Sequence, residues 1–237
     1  MATPADLRLI PVTGIGEVRP GDDLAALLGD AMEAGPGLEP GDVVVVTHKV
    51  VSKAEGKVED LPGDEDDAHR SIVEREAVAI VRRRGDLVIA RTRHGFICAN
   101  AGIDRSNVEA GRVVLLPDDP DRSAHRLRTR LGQRFGVEVA VVVTDTFGRP
   151  WRRGLVDVAI GMSGLAALDD HRGRTDTHGN RLEVTEVAVA DELAAAADLV
   201  MGKATGVPAA IIRGYRVPPG DGRVADLIRP DAEDLFR

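Results

Sequence analysis

Two uninterrupted runs of valine constrain the fold of this chain more than any other feature. The segment "DVVVV" covers residues 42–46, and a second run, "VVV", covers residues 141–143. A strand with one face in water alternates apolar and polar residues, whereas a continuous β-branched run indicates a strand that is buried on both faces. Polar residues follow each run at once, as "THK" and "TDT". We therefore predict two inner strands that each deliver polar side chains at their ends.

The remaining pattern predicts a mixture of further strands and helices. Strands are expected at 8–12, 86–90, 112–117 and 209–214, and helices at 24–34, 71–84, 119–135 and 184–202. A polar, glycine-rich loop or hairpin is expected at 169–181. Because strands and helices alternate imperfectly, an α/β fold with a mixed sheet (α+β) is favoured over a regular doubly wound one. Residues 1–237 are taken as one domain, and a division into two subdomains is left open.

Composition and charge exclude several classes of function. The chain has 31 basic and 39 acidic residues and a net charge of −8, which argues against nucleic acid as a partner. The single cysteine, Cys98, cannot form an internal disulfide and is expected to be a small buried side chain. No apolar run is long enough to cross a bilayer and the first residues lack a signal pattern, so we expect a cytoplasmic protein with no membrane partner.

The end of the second valine strand is the strongest candidate for a functional site. Asp145 and Thr146 offer carboxylate and hydroxyl oxygens, the ligands preferred by Mg²⁺ or Mn²⁺ that also bind water and substrate phosphates. Arg149, Arg152 and Arg153 follow within one short turn, where they could clamp a carboxylate or phosphate. The alternative is structural, with Asp145 capping a helix and the arginines facing solvent.

Two other polar segments are weaker candidates. Lysines and hydroxyls after the first valine run suit phosphate oxygens, although a solvated strand exit would look the same. Asp104 and Asn107 lie three residues apart, so that a carboxylate and an amide can face one site, or else cap a helix or form a turn. The residues after the first run are Thr47, His48, Lys49, Ser52, Lys53 and Lys57.

Two glycine-containing segments complete the set of candidates. The segments "PVTGIGEV" (11–18) and "LVMGKATGVP" (199–208) match neither a Walker loop nor a dinucleotide fingerprint. Each is either a turn or a backbone cradle whose N–H groups bind phosphate. The histidines have no spacing typical of zinc ligands, and no GxSxG nucleophile motif is present.

Read in order, five segments resemble the coenzyme F420-0:γ-glutamyl ligase family. They are "VVVVTHKVVSKAEGKVED", "NAGIDRSNVE", "VVVTDTFGRPWRRGLVDVAIG", "VTEVAVADELAAAADLVMGK" and "RGYRV", and the resemblance extends from about residue 7 to the last residues. It implies an amide ligase that uses GTP and Mg²⁺ or Mn²⁺ to add L-glutamate to F420-0, giving F420-1 and longer γ-linked tails. It also implies an intertwined homodimer of an unusual mixed α/β fold, with each active site near the subunit interface.

The resemblance assigns roles to individual residues. Asp104 and Asp145 match the ligands of a first metal ion, and Thr146 matches a ligand of a second. His48 departs from the small hydroxyl residue expected at its position, and the loop after residue 200 lacks the longer glycine run of some relatives. A requirement for K⁺ is left open, as is the choice between a stand-alone enzyme and the ligase half of a two-domain protein. The positions that match nucleotide contacts are Ile15, Gly16, Glu17, Val18, His48, Lys53, Asn107, Met201, Gly202, Lys203, Ala204, Thr205 and Gly206.

The residues and the resemblance lead to one chemical hypothesis. GTP would phosphorylate the terminal carboxylate of the acceptor, and the glutamate amine would attack the acyl phosphate. Phosphoryl transfer depends mainly on positioning and electrostatics, so no protein nucleophile is needed. Lys53 and one of Arg149, Arg152 or Arg153 would clamp the anionic groups. Two other hypotheses stay open: a nucleotide-binding regulatory or scaffold protein without catalysis, and a metal-dependent phosphohydrolase.

Overall fold

The computed structural model describes residues 6–235 and shows a mixed α and β architecture. Of these residues, short 3₁₀ turns cover Asn100–Gly102, Val224–Leu227 and Asp231–Glu233. The helices are α1 (Leu24–Glu33), α2 (His48–Ala54), α3 (Glu65–Glu76), α4 (Pro120–Phe135) and α5 (Val189–Met201). The strands are β1 (Arg8–Val12), β2 (Val43–Thr47), β3 (Val58–Asp60), β4 (Ala77–Arg84), β5 (Leu87–Thr92), β6 (Ile97–Ala99), β7 (Arg112–Val114), β8 (Ala140–Arg149), β9 (Arg152–Ser163), β10 (Asp169–Asp170), β11 (Glu186–Val187) and β12 (Ala209–Arg213).

A five-stranded sheet in the order β1-β12-β2-β8-β9 forms the centre of the fold. β2 and β8 run parallel, from Val43 opposite Ala140 to Thr47 opposite Thr144, while the other neighbours are antiparallel. The mixed sheet predicted from the sequence is therefore confirmed. Because β2 and β8 are parallel, both valine strands deliver their polar ends at the same edge of the sheet.

The two valine runs are buried on both faces, as predicted. The side chains of Val44 and Val46 lie in one core with α1 and α4, and those of Val43 and Val45 lie in another with α5. Successive residues of a strand point to opposite faces, so a sheet covered by helices on both sides needs an apolar residue at every position. The uninterrupted valines meet that need.

A third, smaller core lies beside the central sheet. It is formed mainly by residues of α3, β5 and β7 and of the segments next to them, and includes Ile72, Val73, Val88 and Val113. Cys98 on β6 is buried at the margin of the first core, as expected for a small apolar side chain. Burial raises the pKa of its thiol to about 12.

The helix predicted at 71–84 is wrong in its second half. Helix α3 begins earlier, at Glu65, because the Asp64 side chain accepts hydrogen bonds from the N–H groups of Asp66 and Asp67. It ends at Glu76, and residues 77–84 form strand β4, which pairs antiparallel with β5 across a turn containing Gly85 (φ +58°). Strand pairing therefore overrides the helical pattern of "AVAIVRRR".

Other predicted boundaries hold more closely. Helix α4 ends at Gly136, which adopts a left-handed conformation (φ +68°), and α5 ends at Gly202, as predicted. The latter helix begins at Val189, five residues later than expected. The polar segment 169–181 is part of a hairpin, with β10 paired to β11 and a bridge between Thr175 and Arg181. No helix in residues 6–235 is both long and apolar enough to cross a membrane.

Candidate active site

A cavity of about 290 Å³ lies at the edge of the central sheet where β2 and its pairing with β8 end. Its walls combine the ends of these strands with α2, the segment 15–18 and the loop after α5. Segments that are more than 100 residues apart in sequence therefore meet here. The predicted site residues in its lining are Ile15, Gly16, Glu17, Val18, Lys53, Asn107, Asp145, Thr146, Met201, Gly202, Lys203 and Gly206.

Asp145 lines the cavity from the middle of β8, directly after the last residue that pairs with β2, and His48 lies next to its carboxylate. The Thr146 N–H donates to Asp145 Oδ1 at 2.7 Å. The ring of His48 is fully buried at the start of α2, and its Nε2 lies 3.2 Å from Asp145 Oδ1 without the alignment of a hydrogen bond. His48 thus lies beneath the cavity and outside its lining.

Asp104 is connected to the cavity through Lys49. It lies in an isolated bridge to Val114, and its Oδ2 is 2.7 Å from the Nζ of Lys49, which lines the cavity. Burial raises the pKa of Asp104, but hydrogen bonds from Lys49 and the Ser106 N–H outweigh burial and hold that pKa below its usual range. Asp104 itself is not part of the lining, so the structure does not bring it into one wall with Asp145.

Asp157 was not identified from the sequence as a candidate site residue, but its carboxylate lies at the centre of the hydrogen bonds in the cavity wall. Asp157 lies on β9 directly opposite Thr146 and is only 3% exposed. Its Oδ1 accepts hydrogen bonds from Thr146 Oγ1 (2.6 Å) and Lys203 Nζ (2.8 Å), and its Oδ2 accepts one from Thr144 Oγ1 (3.0 Å). A lone acid within the apolar strand "LVDVAIG" was the signal that could have revealed it.

Each lysine in the cavity wall is paired with a carboxylate. Lys53, which is buried, lies 2.5 Å from Glu17 Oε1. The Nζ of Lys203 contacts Asp157, Asp198 (3.1 Å) and the hydroxyl of Thr146. Burial lowers the pKa of Lys203, but its hydrogen bonds to Asp157 and Asp198 outweigh burial and raise that pKa overall. These ammonium groups can therefore bind an anion only if they first separate from their carboxylate partners.

The oxygen atoms of the lining fit a hard divalent cation. Within residues 6–235 no group of three or more His, Cys, Asp or Glu side chains is arranged to hold a metal ion. Mg²⁺ and Mn²⁺ that act with nucleotides, however, are usually held by one or two carboxylates, with substrate phosphates and water completing the shell. Asp145, Thr146 and Asp157, which share one wall, supply donors of that kind.

Comparison with known proteins assigns the chain to a family. The family model described as F420-0:Gamma-glutamyl ligase matches residues 14–214, which includes every segment of the cavity wall. The chain belongs to this family. It is thereby a ligase, the enzyme class that the sequence predicted. The family membership that the sequence motifs predicted is therefore confirmed. The roles of individual residues remain predictions.

Relatives of this ligase cover nearly its full length. It is 46% identical to the coenzyme F420:L-glutamate ligase of Methanopyrus kandleri over 98% of each chain. It is 48% identical to the protein of the same name from Methanothermobacter thermautotrophicus, over 98% of this chain and 99% of the relative. The corresponding protein of Archaeoglobus fulgidus is 40% identical over 98% and 96% of the two chains.

Several predicted residues of the ligase lie outside the cavity lining. Arg149, Arg152 and Arg153 are exposed at the turn between β8 and β9, beyond Asp145 and Thr146 on the same hairpin. Ala204 and Thr205 belong to the loop after α5 without lining the cavity, and the Thr205 hydroxyl donates to the Met201 carbonyl. Their predicted contacts with substrates remain predictions.

Asn107 joins two of the predicted segments. Its backbone is left-handed (φ +56°), and its Nδ2 donates to the Lys203 carbonyl at 3.4 Å. The segment 100–109 and the loop after α5 therefore meet at the cavity, and the nucleotide contacts that the resemblance implies for both remain predictions. Thr47 and Lys49 of the first polar segment also line the cavity, as do Val207 and Pro208 of the glycine-containing segment 199–208. Cavity residues that the sequence did not indicate are Val50, Asp157 and Asp198.

Proposed function

We propose that the protein is a GTP-dependent coenzyme F420-0:L-glutamate ligase. The observation that carries the proposal is the cavity where β2 and its pairing with β8 end, and where Asp145 and Thr146 share the lining with Lys53, Lys203 and two glycine-containing segments. Relatives that match this chain over nearly their full length carry the name coenzyme F420:L-glutamate ligase. The proposed product is γ-linked glutamyl F420, F420-1 and longer forms.

The proposed reaction proceeds in two transfers. An oxygen of the acceptor carboxylate attacks the γ-phosphorus of GTP, GDP leaves, and an acyl phosphate forms. The amine of L-glutamate then attacks the acyl carbon, phosphate leaves, and the amine loses a proton as the amide forms. Both steps depend on alignment and on neutralising phosphate charge, so the lack of a nucleophile motif in the sequence agrees with this chemistry.

Charged side chains of the cavity have distinct roles in this proposal. Lys53 and Lys203 would exchange their carboxylate partners for phosphate oxygens of the nucleotide, since each ammonium already faces the cavity. Asp145 and Thr146 would hold Mg²⁺ or Mn²⁺. A bound divalent ion would neutralise phosphate charge and orient the nucleotide. Asp104 would join them only after it separates from Lys49.

The direct test is glutamate incorporation. The protein is incubated with GTP, Mg²⁺ or Mn²⁺, L-glutamate and F420-0, and mass spectrometry detects the addition of one glutamyl residue. Asp145→Asn should abolish incorporation, while Glu183→Gln, which alters an exposed carboxylate away from the cavity, should leave it unchanged.

Other outcomes of this test distinguish the remaining hypotheses. Release of phosphate from GTP without glutamate or F420-0 would identify a phosphohydrolase. Binding of GTP without any turnover would identify a regulatory or scaffold protein. Normal incorporation by Asp145→Asn would contradict the assigned site but not the proposed reaction.

The proposal includes a homodimer. Strand β4 forms an edge of its sheet, and nearly all of its residues are exposed, including Val78, Ile80 and Val81. An exposed apolar edge strand is an available surface for pairing between chains. A second copy on this strand would agree with the intertwined dimer that the resemblance implies.

A further inference from the structure

His48 is a fully buried histidine at the start of α2, directly after the end of β2. The resemblance implies that this position contacts the nucleotide, but the side chain does not line the cavity. A ring that is enclosed by protein is not placed to contact a ligand in the cavity. The burial of a polar ring at this point therefore needs another explanation.

The two ring nitrogens of His48 have different surroundings. Nδ1 lies 3.4 Å from the hydroxyl oxygen of Ser52, which is four residues further along α2 and is also fully buried. Nε2 forms no aligned hydrogen bond within residues 6–235, and it lies 3.2 Å from Oδ1 of Asp145. Buried polar groups of native proteins are nearly always hydrogen-bonded, so an exception beside a candidate metal ligand requires an explanation.

The chemistry of the carboxylate indicates which ring nitrogen carries a proton. A carboxylate oxygen can only accept, so an unprotonated Nε2 would place two lone pairs against each other at 3.2 Å. A proton on Nε2 places a donor beside an acceptor, at a distance that is close to that of a hydrogen bond. Nδ1 can then accept a hydrogen bond from the Ser52 hydroxyl. Both neighbours of the ring are therefore satisfied when Nε2 is protonated.

Asp145 lacks the kind of partner that Asp157 has in the same cavity wall. Asp157 is paired with the ammonium of Lys203, whereas no lysine or arginine in residues 6–235 forms an ion pair with Asp145. The groups next to its carboxylate are the Thr146 N–H, which donates to Oδ1 at 2.7 Å, and the ring of His48. A buried carboxylate without a counter-ion is costly, so this side chain is suited to receive a cation.

We propose that His48 is a positioning residue, which directs the carboxylate of Asp145 into the cavity through a hydrogen bond from Nε2–H to Oδ1. This inference rests on the proposed function, in which Asp145 holds Mg²⁺ or Mn²⁺. Groups that orient the ligands of a metal ion affect its binding strongly without contacting it. Position 48 thus acts through Asp145 and not through the nucleotide contact that the resemblance implies.

Two amide variants separate the roles of the two ring nitrogens. The amide nitrogen of glutamine reaches about as far as Nε2 of histidine, whereas that of asparagine reaches only as far as Nδ1. We expect His48→Gln to retain most of the parent's kcat/KM, and His48→Asn to lose about 10- to 100-fold. His48→Leu, which has no donor, should lose as much as His48→Asn.

The metal requirement distinguishes this role from a nucleotide contact. In His48→Leu the Mg²⁺ concentration for half-maximal rate should rise about tenfold or more, while the KM for GTP at saturating Mg²⁺ should stay close to that of the parent. Thermal unfolding, followed by circular dichroism, shows whether each variant is folded. His125→Gln alters an exposed histidine of α4 outside the cavity lining and is the matched control.

Nuclear magnetic resonance tests the contact without metal, nucleotide or turnover. Long-range ¹H–¹⁵N spectra of protein with ¹⁵N-labelled histidine show which ring nitrogens carry protons, and the His48 signals are those that disappear in His48→Gln. We expect Nε2 of His48 to carry a proton that exchanges slowly with water, because the ring is fully buried. Asp145→Asn should shift the signal of this proton, whereas His125→Gln should leave it unchanged.

Three results would overturn the inference. The first is an Nε2 atom of His48 that carries no proton in the parent protein. The second is an equal loss of kcat/KM in His48→Gln and His48→Asn, which would show that the donor at Nε2 has no specific effect. The third is a raised KM for GTP with an unchanged Mg²⁺ requirement in His48→Leu, which would support the nucleotide contact.

Failure of the proposed function can be told apart from failure of this inference. If the parent protein incorporates no glutamate but the Nε2 proton of His48 is present and responds to Asp145→Asn, the proposed reaction fails while the contact that positions Asp145 stands. If glutamate is incorporated but Nε2 carries no proton, the reaction stands and the positioning role of His48 fails.

Discussion

Asp157 shows how one buried carboxylate can organise a cavity. It accepts hydrogen bonds from two threonine hydroxyls of β8 and from the ammonium of Lys203. The bond from Thr146 fixes the rotamer of that side chain, so its oxygen is held toward the cavity. Residues that orient the ligands of a metal or a phosphate contribute strongly to activity without contacting the substrate.

Replacement of Asp157 by asparagine tests this positioning role. An amide cannot accept from Thr144, Thr146 and Lys203 together, so we expect kcat/KM for GTP to fall about 10- to 100-fold. The free energy of unfolding should fall by about 1–3 kcal/mol because a buried partner is lost. Steady-state kinetics and urea denaturation measure the two effects.

The variant Thr144→Val serves as a matched control for Asp157→Asn. It removes only the fully buried hydrogen bond at Oδ2 and leaves the contacts of Asp157 with Thr146 and Lys203 intact. It should lose stability but keep most of its activity. Equal kinetic losses in the two variants would show that Asp157 acts on folding and has no specific effect on the cavity.

Cys98 illustrates a residue whose environment suppresses its chemistry. Burial raises the pKa of its thiol to about 12, so at pH 8 almost none of the reactive thiolate is present in the folded protein. We expect a disulfide reagent such as DTNB to modify Cys98 slowly at pH 8 and rapidly in urea. Rapid modification of the folded protein would contradict this burial.

The raised pKa of Cys98 also makes the free energy of unfolding depend on pH. The folded state retains the thiol proton more tightly than the unfolded state, so the contribution is fully present below about pH 9 and is lost as the pH rises toward about 12. A Cys98→Ala variant should therefore lose less stability than the parent between these pH values, as measured by urea denaturation at each pH.

At the scale of elements, the β8–β9 hairpin organises the site. It carries Asp145 and Thr146 on one strand and Asp157 on the other, and its turn carries Trp151. Helix α4 packs against it at Gly161, where a Cβ atom would lie 2.4 Å from the carbonyl carbon of Pro120. The hairpin and the start of α4 therefore approach too closely for any residue except glycine.

Gly161→Ala tests this close approach. The added methyl group would meet backbone atoms, which cannot move as a flexible side chain can, so we expect a loss of about 1–3 kcal/mol in the free energy of unfolding. Gly148→Ala on the same hairpin is the control, since no atom lies within 4 Å of its added Cβ. Thermal and urea unfolding should separate the two variants clearly.

The incorrect helix at 71–84 has a cause at the same scale. Residues 77–84 contain apolar residues at spacings that suit either a helix or a strand, and the three arginines at their end resemble a helix C-terminus. The decision depends on β5, which pairs with most residues of β4 across the turn at Gly85. Local periodicity cannot report a hydrogen-bonding partner that lies on another strand.

At the scale of the whole molecule, exposed apolar side chains are concentrated on the small sheet. Val78 (68% exposed), Ile80 and Val81 lie on edge strand β4, and Leu87 and Ile97 lie on β5 and β6. A single isolated apolar residue on a surface needs no explanation, but a cluster on an edge strand marks an interaction surface. This is the surface that we assign to the proposed homodimer.

Oligomeric state provides the test at this scale. Sedimentation or light scattering should give a dimer for the parent protein. Val78→Glu/Ile80→Glu should shift the distribution to monomers, because charges on the paired edge would repel the second copy. Val184→Glu, at a residue that is 86% exposed on another segment, should leave the dimer unchanged. A parent that remains monomeric at high concentration would contradict the assignment.

The sequence by itself determined the inner strands, the ends of α4 and α5 and the family. These features are local: a valine run needs burial on both faces, a glycine permits a left-handed helix end, and family motifs are contiguous. It also supplied most residues of the cavity wall, because they lie within those motifs or within the glycine-containing segments 11–18 and 199–208.

Only the tertiary structure decided which side chains meet. The register of β8 against β9 places Asp157 opposite Thr146, the parallel pairing of β2 and β8 buries His48 beneath Asp145, and Lys49 separates Asp104 from the cavity. Such contacts depend on the register between strands and on helix packing. A shift of one residue would reverse every side chain of a strand, and neither composition nor periodicity specifies that choice.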